Sequence, residues 1–143
     1  NKLPLGNAKP QPTLEALLQQ ADVVTLHVPG GIATENIINS ERLACMKPSA
    51  VLINASRGGV VDIDALYDAL RQNKLAGAAL DVFESEPLPQ DHPLWRAENI
   101  SVTPHLAWYS EDSMRDVKVR ATNEVVRVLR GETPQCPVNQ PVK

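Results

Sequence analysis

The sequence is poor in cysteine, in long apolar runs and in excess charge of either sign, and each lack closes off a class of function. Its two cysteines, Cys45 and Cys136, form no metal-binding or redox pair. They suit a reducing cytoplasm better than a disulfide framework, although one long-range bridge between them stays open. No apolar stretch approaches the roughly 18 residues needed to cross a bilayer. The first twelve residues carry Pro4, Pro10 and Pro12 and no apolar core, so they do not read as a signal peptide. A net charge of −3 with interspersed signs leaves no basic patch, which argues against nucleic-acid binding. There is no internal repeat and no low-complexity segment. What remains is a chain of 143 residues, 43% hydrophobic and 22% charged, ordinary for a soluble globular protein with one core.

Along the chain, apolar periodicity and turn chemistry mark the elements. Residues 1–12 read as a loop. Thr13 is placed to cap a short helix bearing Leu14, Leu17 and Leu18. The β-rich run from Asp22 to Pro29 is stopped by that proline and followed by Gly30 and Gly31. Asn39 or Ser40 caps a second short helix through Met46, ended by Pro48. After the strand beginning at Val51, Asp62 opens a helix with Ala65, Leu66, Ala69 and Leu70 on one face. The run Ala76 to Phe83 is again apolar, and its small residues suggest close packing against a helix. Pro87, Pro89 and Pro93 predict an extended loop, and Ile100 to His105 a last short strand. Ser110 caps a long helix with Met114, Val117, Ala121, Val125, Val128 and Leu129 on one face, ended by Gly131.

Strands alternating with helices predict βαβ units and a parallel sheet. The strands are nearly continuous in apolar residues, as expected where helices cover both faces. In such sheets ligands bind beyond the carboxyl ends of the strands. The stretch from Val51 to Asp62 fits that frame: a buried strand, Arg57 at its carboxyl end, the pair Gly58 and Gly59, then an acidic cap. A guanidinium there offers a planar fork to a carboxylate, and the glycines keep side chains out of a ligand's way. The plain alternative is a surface arginine in a βα turn.

Two further strand ends favour the functional reading. The group Asp81, Glu84 and Glu86 follows the third strand, and His105 follows the fourth. A histidine beside a carboxylate gives and takes protons near neutral pH, and an arginine nearby holds a substrate carboxylate. Together they describe hydride transfer to or from a 2-oxo or 2-hydroxy acid, with a nicotinamide moving the hydride. A hydrolytic triad of Ser56, His105 and Glu86 lacks the Gly-x-Ser-x-Gly elbow. A zinc site from His27, His92 and His105 lacks ligand spacing.

The segments Leu26-His27-Val28-Pro29, Asn54-Ala55-Ser56-Arg57-Gly58-Gly59, Ala79 to Pro87 and Thr103-Pro104-His105 resemble the successive signatures of the D-isomer-specific 2-hydroxyacid dehydrogenases. The match runs from about Ala21 to Asn139. The resemblance implies that Arg57 binds and polarises the substrate, that His105 is the acid/base, and that Glu86 rather than Glu84 is its carboxylate partner. It implies a cofactor site of Val28, Pro29, Ala55, Ser56, Arg57, Asp81 and His105, with Asp81 at the nicotinamide carboxamide. Glutamate at position 86 argues against the formate-oxidising branch, which carries glutamine there. The segment from His105 to Glu111 is similar to a narrower branch that includes phosphoglycerate-like and hydroxypyruvate-like reductases and the carboxy-terminal-binding corepressors of animals. In that branch the position of Trp108 borders the substrate pocket; packing at the start of the last helix is its plain alternative.

Family members carry a Gly-x-Gly-x-x-Gly turn for the pyrophosphate and an acidic residue for the ribose, and neither occurs in this sequence. The expectation is therefore an incomplete Rossmann-like, doubly wound parallel sheet, the second half of a dinucleotide-binding domain. Residues 1–131 would be its carboxy-terminal part, and residues 132–143, with Pro134, Pro137 and Pro141, a tail returning to a substrate domain. The expected function is NAD-dependent oxidoreduction of a D-2-hydroxy acid in a cytoplasmic homodimer, with NADP left open and no turnover by this chain alone. No metal, membrane or nucleic acid is expected. The alternative is a corepressor-like binding module that keeps the nucleotide pocket.

Overall fold

The structure is a computed structural model that describes residues 7–138, in two units that divide between Ala107 and Trp108. Residues 1–6 of the expected amino-terminal loop and residues 139–143 of the expected tail, Pro141 among them, lie outside the described residues.

The first unit is built on four parallel strands, β1 (Val23–Leu26), β2 (Val51–Asn54), β3 (Gly77–Leu80) and β4 (Ile100–Val102), side by side in sequence order. Helices α1 (Leu14–Gln20), α2 (Ser40–Cys45) and α3 (Ile63–Arg71) accompany them. Each helix starts where a side chain satisfies a backbone N–H that has no partner within the helix. Thr13 accepts from the Ala16 amide, Asn39 from Arg42 and Asp62 from Ala65, at 3.0–3.1 Å. Of the two candidates for the second cap, Asn39 is the one used.

Register explains the core. Val24, Leu52, Ala78 and Ile100 lie abreast, as do Leu26, Asn54, Leu80 and Val102. These rows pack with Leu18, Leu43, Leu66 and Leu70 from the three helices. A leucine as enclosed as Leu52, at 0% exposure, contributes about 2–3 kcal/mol by leaving water. The adjacent rows are less enclosed. Val23 and Thr25 are exposed, and Val51, Ile53 and Ala79 are half-buried. Even apolarity along the strands suggested cover on both faces; burial here is concentrated on one, and alanine and glycine occupy β3 on the other.

One local expectation changes. The proline-rich loop contains a 3-10 turn, Pro93–Arg96, because Pro93 has its φ preset for a first helical position and His92 Nδ1 accepts from the Leu94 amide. That turn drops Leu94 into the core. Gly77 also permits a close approach to the Asn99 carbonyl at the entry to β4: a Cβ there would lie 3.0 Å from that oxygen.

The second unit holds α4 (Glu111–Leu129). Ser110 and Ser113 cap it reciprocally, and Gly131, at φ +76°, ends it in the left-handed conformation. None of its residues is buried. Glu124 accepts from the Gln135 amide, tying the following segment back to the helix. Among the described residues, no helix is long and apolar enough to cross a membrane.

Candidate active site

Because the strands are parallel, the segments after β1, β2, β3 and β4 leave the sheet at one edge. After β2, the buried Asn54 organises the turn. Its Nδ2 donates to the Arg57 carbonyl at 3.0 Å, and its Oδ1 accepts from the Ser56 amide at 3.1 Å and hydroxyl at 2.8 Å. Arg57 is exposed, its Nη1 donates to the Ser56 carbonyl, and its side chain lies over Gly30. The next residue admits no side chain. A Cβ at Gly58 would sit 1.9 Å from the Phe83 carbonyl carbon, so the turn after β2 is pressed against the backbone after β3.

That backbone leads to Glu86, whose peptide bond to Pro87 is cis. Glu86 Oε1 accepts from the Phe83 amide at 2.9 Å, and Oε2 lies 2.8 Å from His105 Nδ1. The bond to His105 and then that to Phe83 hold the Glu86 carboxyl below its ordinary value. Glu84 is not in this arrangement; it lines a separate hollow with Gly58 and Arg57. His105 has φ +55°, a left-handed conformation uncommon outside glycine.

Asp81 is 5% exposed and receives three donors: the Thr103 hydroxyl and Leu106 amide on Oδ1, and the Ala107 amide on Oδ2. Burial alone would raise this carboxyl, but those bonds and the nearby His105 outweigh burial and hold it below its ordinary value.

The residues expected at the cofactor fall into two hollows. Val28, Pro29, Ala55, Ser56 and Arg57 line one of about 560 Å³, beyond the ends of β1 and β2. Asp81 and His105 line another of about 420 Å³, with Glu86 and the apolar Leu88, Trp95 and Val102. Trp108 belongs to the second unit, where its ring meets Tyr109 edge-on at 5.6 Å and its carbonyl accepts from Ser113.

The rival chemistries find other arrangements. The Ser56 hydroxyl donates to Asn54, His27 Nε2 is 3.0 Å from the Thr25 hydroxyl, and His92 caps a turn. Among the described residues no three metal-ligating side chains cluster. Sequence reasoning missed Asn54 and Thr103 as builders of the site, and it assigned Gly58 room for a ligand rather than contact with the Phe83 backbone. Only Asn54, two residues before a serine in a turn, carried a readable signal.

A parallel α/β sheet with charged residues beyond the carboxyl ends of its strands defines a class of protein that binds its ligands at that edge. Comparison with known proteins narrows the class. The sequence model of the D-isomer specific 2-hydroxyacid dehydrogenase family, NAD binding domain, matches residues 5–107. The chain is 45% identical over 129 residues to a glyoxylate reductase of Thermofilum pendens, covering 90% of this chain and 38% of that protein. It is 41% identical over 145 residues to the D-3-phosphoglycerate dehydrogenase of Escherichia coli, covering 99% of this chain and 35% of that protein. A solved D-lactate dehydrogenase with NAD+ from Lactobacillus jensenii superposes with a TM-score of 0.81 at 32% identity, covering 90% of this chain and 42% of that one. This chain belongs to the D-isomer specific 2-hydroxyacid dehydrogenase family, within its NAD-binding domain. It spans little more than a third of the length of the two curated relatives.

Proposed function

We propose that this chain forms the cofactor-side wall of an NAD-dependent dehydrogenase that interconverts a D-2-hydroxy acid and its 2-oxo acid. The observation that carries the reading is the 2.8 Å contact of His105 Nδ1 with Glu86 Oε2, at the sheet edge where Arg57 also emerges. A carboxylate on Nδ1 fixes the ring's tautomer and directs proton exchange with the substrate oxygen to Nε2. The Arg57 guanidinium takes the substrate carboxylate and polarises the carbonyl beside it. The larger hollow, where Ala55 and Ser56 bring only short side chains, suits a nicotinamide nucleotide held by Val28, Pro29, Ala55 and Ser56. Bound there, the cofactor gives or takes the hydride. Asp81 keeps one acceptor position for the carboxamide contact the family resemblance implies.

In this reading residues 1–131 serve the cofactor domain and residues 132–143 lead away from it. We also infer a homodimer, supported by the exposed Val117, Val125, Val128 and Leu129 of α4, and a reducing cytoplasmic location, supported by the free thiol of the exposed Cys136. Sedimentation of a monodisperse monomer at high concentration would count against the dimer.

The direct test is a chimaera in which this chain replaces the matching segment of the Escherichia coli relative. It should oxidise NADH with at least one of hydroxypyruvate, glyoxylate and pyruvate, whereas the chain alone should not, since hydride transfer needs substrate and nicotinamide held within about 3–3.5 Å. His105→Ala in the chimaera should lower kcat by about 10²–10⁴ with NADH binding nearly unchanged. A chimaera that binds NADH and reduces none of the three acids would make a nucleotide-binding interaction module the better reading.

A further inference from the structure

We propose that Asp81 is the positioning residue of the His105 turn, its carboxylate clamping the backbone on both sides of the histidine so that the imidazole meets Glu86. The clamp starts before the histidine, at the Thr103 hydroxyl, and closes after it, at the Leu106 and Ala107 amides, both 2.8 Å from carboxylate oxygens. The Asp81 main chain adds to it: its carbonyl accepts from the His105 amide at 2.9 Å, and its own amide is tied to the Asn54 carbonyl. One buried residue at the end of β3 therefore fixes a turn that begins 22 residues later.

The turn needs such a clamp. At φ +55° His105 occupies a region that side chains with a Cβ avoid, and it persists only where its surroundings over-determine it. Released, the backbone would relax and swing the Cβ, and the ring with it, away from Glu86. Glu86 is independently pinned through the Phe83 amide, so it would not follow. The residue type follows from the donor set. All three partners of the carboxylate donate, and an ionised Asp only accepts, whereas an Asn would turn its own N–H groups toward at least one of them. Three of about four acceptor positions are thus taken by the turn, which makes any cofactor contact of Asp81 secondary to this work.

The inference deepens the proposed function, because it matters for turnover only if His105 is the acid/base, but its test needs no turnover. In the 143-residue chain, isotope-labelled, NMR would follow amide exchange at Leu106 and Ala107 and the titration of the Glu86 carboxyl carbon. Asp81→Asn should speed exchange at those two amides by about tenfold or more while β1 to β3 stay protected. It should also move the Glu86 titration up toward its ordinary 4.5, as is expected for His105→Ala; loss of the Asp81 charge alone would move it the other way. Thr103→Val, which removes one donor and leaves the carboxylate, should give both changes at smaller amplitude. If Asp81→Asn does not fold, Thr103→Val carries the test. Exchange at Leu106 and Ala107 unchanged from the parent in folded Asp81→Asn, or a Glu86 titration unchanged in Thr103→Val, where the Asp81 charge is kept, would overturn the proposal. Failure here would leave the dehydrogenase reading standing, and an inactive chimaera would leave this clamp standing.

Discussion

The turns after β2 and after β4 carry Arg57 and His105, and each hangs from a buried polar residue at a strand end, but in different ways. Asn54 serves its own turn, reaching two and three residues ahead with an amide that both donates and accepts. Asp81 serves the neighbouring strand's turn, 22 to 26 residues ahead, with a carboxylate that only accepts. A neutral amide suits a turn whose carbonyl and amide both need partners. A carboxylate suits a turn that presents three donors. The difference shows that side-chain polarity at a strand end matches the donors and acceptors that the adjacent backbone presents to it.

Breaking the join between the two turns should have the largest effect. Gly58→Ala places a methyl group against the Phe83–Glu84 backbone, where nothing flexible can yield. We expect a loss of about 3 kcal/mol or more in urea unfolding, with the contact between Glu86 and His105 disturbed as well. An unperturbed variant would mean that the two turns are independent.

Exchanging the chemistry sharpens the comparison. Asn54→Asp sets an acceptor-only carboxylate against the Arg57 carbonyl at a position 1% exposed. The cost should be about 2–3 kcal/mol at neutral pH. The introduced carboxyl should titrate higher in the folded state than in the unfolded one, since only its protonated form can donate to that carbonyl. Its charged form then costs stability as pH rises through the folded value, so the deficit against the parent should shrink on acidification. A deficit that grew on acidification would refute the reading.

A cap whose side-chain bond goes to α3 rather than to either turn gives a reference of middle size. Asp62→Ala should cost about 1 kcal/mol, measured by the same unfolding curve, through the Ala65 amide it leaves to water.

The smallest effect on stability belongs to the pair nearest the chemistry. Glu86 and His105 are both exposed, so Glu86→Gln should leave the thermal midpoint almost unmoved. Its acid dependence has a definite sign. A carboxyl held below its ordinary value stabilises the fold above that value, and the contribution fades as pH falls from about 4.5 downward. Glu86→Gln should remove that part of the acid slope. A slope unchanged by the substitution would place the acid sensitivity elsewhere, with Asp81 the first candidate.

How much of this was legible depended on distance along the chain. Thr13, Asp62 and Ser110 announced their helices because a cap acts within three residues. Arg57 and His105 stood out because a parallel sheet turns separate strand ends into one edge. Residue pattern alone left Glu84 and Glu86 equivalent; resemblance to the family pointed to Glu86, and the structure sets that side chain against His105. Asp81 gave no sign of its hold on the His105 turn, since the bonds cross from one strand end to the next. The burden on Gly58 was equally hidden, because the atoms it must avoid lie 25 residues away at Phe83. The 3-10 turn at Pro93–Arg96 was lost among prolines that also suit extended chain.

The plain left-to-right order of the strands bears on how the chain acquires its structure in time. Each strand pairs with the one just before it in the sequence, so β1 and β2 can join across one helical crossover before anything downstream of Asn54 is present. Every later unit adds to an edge already formed, which keeps loop closures short and local for a parallel sheet. The clamp between Asp81 and the His105 turn needs β4 in place, so it closes at the end of that series. This strand order lets the scaffold of the sheet be complete before its most exacting corner is set.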